Sequence, residues 1–183
     1  MPDQPRLTPS GDVARVFFAL WPDEGTAHLL DRAAALLHRL RGGRRTRRQT
    51  IHLTLVFLGD VDKSRLAELI AAAGRVVAES FTLHLDRAEC WRHNRIAFLT
   101  AEETPPALLS LVRDLEVALA GTGFAFDRRP YKAHITLLRH ADCAKENPAL
   151  EPIHWAAREF VLVESVLGAA GASYTTLARF PLR

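Results

Sequence analysis

The sequence is most constrained by a short pattern that it contains twice, His-x-Thr-Leu. The two copies are His52-Leu53-Thr54-Leu55 and His134-Ile135-Thr136-Leu137, and each lies in an apolar segment typical of a strand. Side chains at alternate positions of a strand project from the same face. Each copy therefore predicts a strand with aliphatic residues on its buried face and histidine and threonine on the other. Two such faces could line one cleft.

Strand and helix signals alternate along the rest of the chain. β-branched and aromatic residues predict strands at 13–21, 50–59, 81–91, 95–101, 130–139, 159–167 and 173–182. Apolar residues at helical spacing predict helices over 29–40, about 64–79 and about 105–120. We expect an α+β protein with helices outside antiparallel or mixed sheets.

Turn and cap residues place several boundaries. Gly42 and Gly43 are expected to end the first helix, and Thr104 to cap the third helix with Pro105 in its first turn. His93 and Asn94 fall between two predicted strands, as in a hairpin. The polar, proline-bearing stretch 141–152 is predicted to be a loop.

The length and the remaining composition favour one domain. Residues 13–183 are expected to form it, and the polar, proline-rich residues 1–12 are expected to be a flexible N-terminal arm. Cys90 and Cys143 are far apart in the sequence, and the N-terminus has no secretory pattern. No apolar run approaches the roughly 18 residues that span a bilayer. We expect a monomer in the reducing cytoplasm, with no membrane segment.

The His-x-Thr pattern suits phosphodiester hydrolysis. An imidazole titrates at about pH 6.5, so one histidine can take a proton from water while another gives one to a leaving oxygen. A threonine hydroxyl two residues on can donate a hydrogen bond to a phosphoryl oxygen. A single His-x-Thr is more often a half-buried histidine beside a β-favouring threonine. A matched pair favours function, and it requires no metal.

Basic clusters precede both copies of the pattern and favour an anionic partner. They are Arg44, Arg45, Arg47 and Arg48 before the first copy, and Arg128, Arg129 and Lys132 before the second. They could contact an RNA backbone or be solvated loops. Lys132, two residues before His134, is the best single candidate, because it shares the parity of that histidine.

The other histidines and the cysteines show no ligand pattern. His28, His38, His84, His93, His140 and His154 lack a partner at ligand spacing and are predicted to be surface or structural residues. Cys90 and Cys143 have no neighbouring cysteine or histidine pattern. No metal and no cofactor is therefore expected.

Four segments together resemble the 2H phosphoesterases, and among them the bacterial RNA 2',3'-cyclic phosphodiesterases once named 2'-5' RNA ligases. The segments are RVFFALWP, IHLTLVFLGDV, RPYKAHITLLR and VLVESVLGAAGASYTTLARFPL. The resemblance implies a bilobal, pseudo-symmetric fold with both motif strands facing a central cleft. It also implies metal-independent hydrolysis of a terminal 2',3'-cyclic phosphate of RNA to a 2'-phosphate.

Residue roles follow from the resemblance position by position. It makes His52 the proton donor, His134 the proton acceptor, and Thr54 and Thr136 phosphate contacts. The acid and base labels could be exchanged without altering the argument from the residues. Ala133 stands where many relatives have proline, a change that removes no reacting group.

The resemblance also suggests further substrate contacts. Arg15 and Phe17 share a face of the first predicted strand that would border the pocket, where Phe17 could stack on a base or be part of the core. Arg139 matches a basic residue that follows the second motif. Strict alternation from His134 would point Arg139 to the opposite face, so it reaches the phosphate only if the strand ends or bulges near Leu138.

Two rival functions stay open on the sequence. In the first, a 5'-hydroxyl of RNA replaces water and a 2'-5' linkage forms, as a side or reverse activity. In the second, the protein is a non-catalytic module that grips phosphorylated RNA ends. The intact pair of motifs argues against the second rival.

Overall fold

The computed structural model describes residues 12–168 and 171–183. The strands of this part are β1 (Val13–Leu20), β2 (Arg44–Arg45), β3 (Leu53–Asp62), β4 (Phe81–Leu85), β5 (Arg87–Trp91), β6 (Ile96–Thr100), β7 (Ile135–Arg139), β8 (Ile153–Ala157), β9 (Glu159–Gly168) and β10 (Gly171–Pro181). The α-helices are α1 (Glu24–Arg41), α2 (Leu66–Ala73) and α3 (Pro106–Gly121). Short 3-10 helices precede β3 (Arg48–Thr50) and α2 (Lys63–Arg65).

The strands form two four-stranded sheets and a two-stranded ribbon. The sheets have the orders β10-β9-β1-β3 and β2-β7-β6-β5, and the ribbon pairs β4 with β8. All of these pairs are antiparallel. β3 and β7 lie in different sheets, so each sheet carries one copy of the His-x-Thr-Leu pattern. The predicted α+β, two-lobed fold is confirmed.

The two lobes are not built from consecutive halves of the chain. The sheet that contains β3 takes β9 and β10 from the C-terminal end. The sheet that contains β7 takes β2 from the N-terminal half, with Arg44 opposite Arg139, and α1 packs against β7 and β8. Each lobe therefore needs both halves of the chain.

Local signals explain why α1 forms where it does. The Asp23 carboxylate accepts a hydrogen bond from the Thr26 backbone nitrogen at 2.8 Å and from the Thr26 hydroxyl at 3.1 Å, which caps the helix. Gly42, with φ +59°, ends it, and its nitrogen donates to the His38 carbonyl. The buried face of α1 carries Leu30 and Leu37, so this helix covers the core.

β1 is the most buried strand of the first sheet because it lies between two others. Val16 and Phe18 belong to the main hydrophobic core. Phe17 and Ala19, on the opposite face, pack in a smaller cluster against Val161 and Val163 of β9. Both faces of β1 are therefore buried, which explains why its sequence is a continuous apolar run. The smaller cluster lies beneath the cleft described below.

Two helix predictions need correction. The second helix, expected to reach residue 79, ends at Ala73, because Gly74 and the β-branched Val76 and Val77 that follow disfavour its continuation. The third helix begins one residue later than predicted. The Pro105 carbonyl accepts from the Leu108 and Leu109 nitrogens, so Pro105 takes the cap position expected for Thr104.

The strand predictions also need correction where pairing partners change. Segment 81–91 is two strands, because β4 pairs with β8 and β5 with β6. Asp86 lies between them and accepts from the Glu102 nitrogen at 2.9 Å. β7 begins only at Ile135, and β2 and β8 were not predicted at all. The hairpin turn at His93 and Asn94 and the loop at 141–152 are confirmed.

The two cysteines lie together despite their distance in the sequence. Cys90 and Cys143 form a disulfide with a Cα–Cα separation of 5.5 Å. The reduced cysteines that the expected reducing setting implies are therefore not found, because the turn after β7 returns the chain to the end of β5. The predicted arm, 1–12, lies outside the described residues except for Asp12. No helix in the described part is long and apolar enough to span a membrane.

Gly43 occupies a position where a side chain would be strained. Its φ is +81°, and a Cβ atom there would lie 2.6 Å from the Arg139 carbonyl oxygen. We expect Gly43→Ala to lower the free energy of unfolding by about 2–3 kcal/mol, because the positive φ and the overlap both cost stability. Denaturant unfolding measures this.

Gly121 is the matched control, because nothing lies within 4 Å of a Cβ atom built there. Gly121→Ala is expected to change the free energy of unfolding by less than about 1 kcal/mol. Equal losses in the two variants would contradict the packing described at Gly43.

Candidate active site

The first motif begins just before β3. The His52 Nδ1 lies 2.8 Å from the Thr50 carbonyl oxygen, two residues back in the chain. Ile51, Leu53 and Leu55 are buried, whereas His52 and Thr54 are half-buried. The predicted division of the strand into an aliphatic and a polar face is confirmed here.

The second motif repeats this arrangement just before β7. The His134 Nδ1 lies 2.8 Å from the Lys132 carbonyl oxygen, again two residues back. Ala133, Ile135 and Leu137 are buried, and His134 and Thr136 are half-buried. The Ala133 carbonyl accepts a hydrogen bond from the Thr100 hydroxyl at 2.8 Å, which helps to fix the entry to the strand.

The two carbonyl contacts set the chemistry of both rings. A carbonyl oxygen only accepts hydrogen bonds, so Nδ1 must carry the proton in each imidazole. In the neutral ring Nε2 then has a free lone pair, and in the charged ring it carries a proton to donate. Each histidine is thus oriented so that Nε2 is the nitrogen available for proton transfer.

Both histidines open onto one cavity of about 400 Å³, the catalytic cleft. Thr54 and Thr136 line the same cleft. The expectation that the two polar faces meet in one cleft is confirmed. Two histidines and two threonines from distant parts of the chain therefore surround a space that can hold a phosphate.

A β-bulge lies at the last residue of each motif. In the pairing of β1 with β3, Leu55 has no partner, and in the pairing of β6 with β7, Leu137 has none. A bulge shifts the alternation of side chains by one residue. The residue five positions after each histidine, Phe57 or Arg139, consequently lines the cleft.

The second bulge decides the position of Arg139. Leu137 and Leu138 are both fully buried, and Arg139 is exposed on the side of the cleft. The sequence placed Arg139 near the phosphate only on condition that the strand ended or bulged near Leu138. That condition is met at the neighbouring residue, Leu137.

Aromatic rings surround His52. Trp21 stacks on the imidazole with a centroid distance of 5.1 Å and an interplanar angle of 5°. Phe17 and Tyr174 approach it at 5.0 and 5.4 Å. Phe17 lines the cleft but is only 4% exposed, so its ring supports His52 and is not an open platform for a base.

Sequence reasoning missed Trp21 and Tyr174. Both lie within segments that carry the family resemblance, RVFFALWP and SYTTLARFPL, but neither has a spacing relation to the His-x-Thr pattern. An aromatic residue directly after a buried strand was the available signal for Trp21. Tyr174 comes to the cleft only through the pairing of β10 with β9.

The surroundings of His134 are also aromatic. Trp91 lies 4.6 Å from its ring and Phe98 5.7 Å, both roughly edge to face. Trp91 is the last residue of β5 and directly follows Cys90 of the disulfide. Trp91 was not singled out from the sequence either, because β5 and β7 are both neighbours of β6 and come together only in the sheet.

Burial lowers the pKa of both catalytic-cleft histidines. The pKa of His52 falls to about 4, chiefly because burial disfavours the charged ring. The positive charges of His134 and Arg139 lower it further, against the opposing effect of the Thr50 carbonyl. The pKa of His134 is lowered mainly by burial and also by Lys132. Both rings are neutral near neutral pH when no anion is bound.

A second chamber of about 500 Å³ adjoins the catalytic cleft on the His134 side. Thr54, Phe57 and His134 line both spaces. Trp91, Asn94, Tyr131 and Lys132 are among the residues that line only the second chamber. The Tyr131 hydroxyl lies 3.4 Å from the Thr54 carbonyl oxygen, and burial raises its pKa above the usual value.

The predicted basic contacts fall in two different places. Arg15 lines the catalytic cleft with its side chain 45% exposed, 3.8 Å from Asp60. Lys132 lines the second chamber instead and pairs with Glu89 at 2.7 Å. The Lys132 carbonyl contacts His134 directly. The ammonium group of Lys132 acts on His134 only through its charge, which lowers the pKa of that histidine.

The arginine clusters are partly engaged with other residues. Arg45 pairs with Asp31, Arg47 donates to the Ala172 carbonyl, and Arg129 pairs with Asp127. Thr46, between the first two, lines the catalytic cleft. The first cluster therefore borders the catalytic cleft, whereas Arg129 of the second cluster lines the second chamber. Part of the charge of both clusters is neutralised within the protein.

Two of the remaining histidines are exposed, as predicted for surface residues, but they contact each other. His84 and His154 were expected to lack partners, but their Nδ1 atoms lie 2.8 Å apart across the pairing of β4 with β8. Within residues 12–168 and 171–183, no group of three or more histidine, cysteine or acidic residues could hold a metal ion.

Comparisons with known proteins identify a family and relatives that match most of the chain. The family described as LigT like Phosphoesterase has a model that matches residues 20–98 and 99–174, and each matched range contains one His-x-Thr motif. The Escherichia coli (strain K12) protein named RNA 2',3'-cyclic phosphodiesterase is 36% identical over 142 residues, 76% of this chain and 80% of that one. The Thermus thermophilus protein of the same name is 30% identical over 183 residues, covering 92% and 90%.

Solved structures have the same architecture. The crystal structure of E. coli LigT complexed with 3'-AMP has a TM-score of 0.81 and 31% identity, covering 93% of this chain and 99% of that one. The crystal structure of the Thermus thermophilus protein TT0787 has a TM-score of 0.77 and 27% identity, covering 92% and 98%.

Proposed function

Because this chain belongs to the LigT like phosphoesterase family, we propose that it hydrolyses RNA 2',3'-cyclic phosphates with His52 and His134 as its acid–base pair. It is an enzyme, a phosphodiesterase related to proteins named RNA 2',3'-cyclic phosphodiesterase. The observation that carries the residue assignment is the matched pair of imidazoles in one cleft, each with Nδ1 against the carbonyl oxygen two residues back.

The reaction needs two proton transfers, one on each side of the phosphorus. His134 Nε2 takes a proton from water as the water oxygen attacks phosphorus. The bond from phosphorus to the 3' oxygen breaks on the opposite side, and His52 Nε2 donates a proton to that oxygen. The product is a 2'-phosphate with a free 3'-hydroxyl.

Hydroxyl and guanidinium groups stabilise the phosphoryl oxygens in this scheme. Thr54 and Thr136 would donate hydrogen bonds to the non-bridging oxygens, on which negative charge increases in the transition state. Arg139 lines the same cleft and adds a positive charge. Arg15 would contact the substrate farther out, and Phe17 acts through its contact with His52.

The bound anion also supplies the condition for His52 to act as an acid. Without an anion the lowered pKa of His52 keeps the ring neutral. A phosphate anion next to the imidazole favours the charged ring and raises its pKa. Substrate binding therefore promotes the protonation that the leaving 3' oxygen requires.

Incubation with an RNA oligonucleotide ending in a 2',3'-cyclic phosphate, in the presence of a chelator, tests the proposed activity. We expect an oligonucleotide with a 2'-phosphate as the product. Binding of the oligonucleotide without turnover would instead support a non-catalytic RNA-end-binding module. A strict need for added metal would contradict the two-histidine mechanism.

The pH dependence of kcat/KM follows from the two lowered pKa values. Catalysis needs one neutral and one charged imidazole, and burial holds the pKa of His52 at about 4 and lowers that of His134. Above about pH 6.5 the singly charged form of the free enzyme should decline about tenfold per pH unit. We therefore expect kcat/KM to rise as pH falls from about 8 towards about 6.

Initial rates at low substrate report the pKa values of the free enzyme, and initial rates at saturating substrate report those of the enzyme–substrate complex. The bound phosphate raises both pKa values, so kcat should decline at a higher pH than kcat/KM does. A kcat/KM that is constant across this range would show that no imidazole has to be charged in the free enzyme.

The second chamber favours 2'-5' ligation as a second candidate activity. It lies on the His134 side, from which the nucleophile arrives, and its volume of about 500 Å³ far exceeds that of one water molecule. A 5'-hydroxyl nucleoside placed there could replace water. A 2'-5' linked product from cyclic-phosphate and 5'-hydroxyl oligonucleotides would support this candidate.

The assembly and location of the protein remain part of the proposal. Both motifs of one cleft come from a single chain, which supports an active monomer with residues 13–183 as one domain. A cytoplasmic location is supported by the RNA substrate class and no longer by the cysteines, which form a disulfide.

A further inference from the structure

The ribbon of β4 and β8 brings two exposed histidines face to face. His84 and His154 are directly opposite in the antiparallel register. Their Nδ1 atoms lie 2.8 Å apart, and their rings are nearly perpendicular with a centroid distance of 4.7 Å. Neither residue lines the catalytic cleft or the second chamber.

The opposite face of the ribbon anchors this pair. Leu83, Leu85 and Trp155 are each no more than 2% exposed, and Ile153 is also buried. Adjacent side chains of a strand point to opposite faces, so the buried residues hold the backbone while the imidazoles face solvent. The two imidazoles are therefore positioned by the core and are accessible to solvent.

The short separation of the two nitrogens limits the chemistry between them. Without a metal, one Nδ1 must carry a proton and donate it to the lone pair of the other. A metal ion can replace this proton, since the donor ring can move its proton to its own Nε2 by exchange with water. No net proton is then released from the neutral pair.

The separation is short enough for both nitrogens to bind one metal ion. Two nitrogens about 2.0 Å from a metal are about 2.8 Å apart at a right angle and about 3.3 Å apart at a tetrahedral angle. The observed 2.8 Å is set by the hydrogen bond between the rings and lies close to the right-angle value. Right-angle positions occur in the square-planar or tetragonal sites typical of Cu²⁺ and Ni²⁺, and imidazole is a good ligand for both.

We propose that His84 and His154 form a surface site for a divalent copper or nickel ion, with their Nδ1 atoms as adjacent ligands. The remaining coordination positions are filled by water, because in the described part of the chain no third histidine, cysteine or acidic residue joins the pair. The site is independent of the proposed phosphodiesterase activity, since it shares no residue with the catalytic cleft.

Titration of the whole protein with CuCl2, followed by electron paramagnetic resonance, tests this proposal. We expect an ion at this site with a spectrum typical of tetragonal Cu²⁺, and a weaker signal from it at equal copper concentration in His84→Thr and in His154→Thr. Each variant should bind it at least about tenfold more weakly, because one of two protein ligands is removed. Threonine suits an exposed strand position, so both variants should fold.

His28→Gln is the matched control, since His28 is also exposed and is ten residues from His38, the other histidine of α1. It should bind copper like the parent protein. The catalytic histidines are unchanged in all of these variants, so any copper bound in the cleft cancels in the comparison. Copper binding that is the same in His84→Thr and His154→Thr as in the parent would overturn the proposal. Hydrolysis of the cyclic phosphate is expected to be unaffected in metal-free buffer.

Discussion

Replacing His134 with alanine is expected to lower kcat/KM for a 2',3'-cyclic-phosphate oligonucleotide by about two to four orders of magnitude. His52→Ala should cause a loss of similar size. Each variant removes the imidazole that carries out one of the two proton transfers. Steady-state rates at low substrate concentration measure both losses.

The double variant and a surface control sharpen this prediction. Because the two imidazoles act in one step, His52→Ala and His134→Ala together should cost little more than either alone. His38→Ala, on the exposed face of α1, should keep full activity. Circular dichroism and thermal unfolding establish that the variants fold. If His52→Ala retained most of the parent activity, the two-histidine mechanism would be wrong.

Replacing Thr54 and Thr136 with valine should have the second-largest effect. Valine keeps the β-branched shape that suits a strand and removes only the hydroxyl. One lost hydrogen bond to an oxygen that gains negative charge in the transition state costs about 10²–10³-fold in kcat in comparable sites. We expect each single variant to lose rate towards the lower end of this range, because both hydroxyls lie on half-open faces of the cleft where water can partly replace them.

The two kinetic parameters separate transition-state contacts from simple binding. A hydroxyl that acts mainly in the transition state lowers kcat with little change in KM. Thr82→Val, at an exposed position of β4, is the control and should leave kcat and KM unchanged. Variants of Thr54 and Thr136 that raised KM alone would show that the hydroxyls bind the substrate and the transition state equally.

The polar faces of the motif strands could be predicted because they depend on short-range geometry. His52 with Thr54 and His134 with Thr136 follow directly from strand alternation, and buried neighbours flank each pair as expected. The helix α1 could be predicted in the same way, since the spacing of its apolar residues and Gly42 at its end are local signals. These features need no knowledge of which strands pair.

The bulges could not be predicted, because a bulge is a property of two paired strands. Leu55 and Leu137 look like ordinary members of alternating runs, and their unpaired positions appear only in the register with β1 and β6. The bulges change the composition of the cleft, since they bring Phe57 and Arg139 to its surface. The bulge occurs at the same position in both lobes. The two motif strands are therefore similar in structure as far as Phe57 and Arg139, three residues beyond His-x-Thr.

Contacts between distant segments were the other limit of the sequence. The disulfide of Cys90 and Cys143, the pair of His84 and His154, and the exchange of strands between lobes all join segments more than 50 residues apart. Composition and periodicity carry no information about such pairings. The aromatic surroundings of His52 and His134 were missed for the same reason.

A crystal structure of the protein with a nucleoside 2'-phosphate bound tests the central claim most directly. We predict one phosphate between the two motifs, with His52 Nε2 and His134 Nε2 each within about 3.3 Å of a different phosphate oxygen. The Thr54 and Thr136 hydroxyls should lie at hydrogen-bond distance from the other oxygens. A phosphate that contacted only one of the two imidazoles, or that lay wholly within the second chamber, would contradict it.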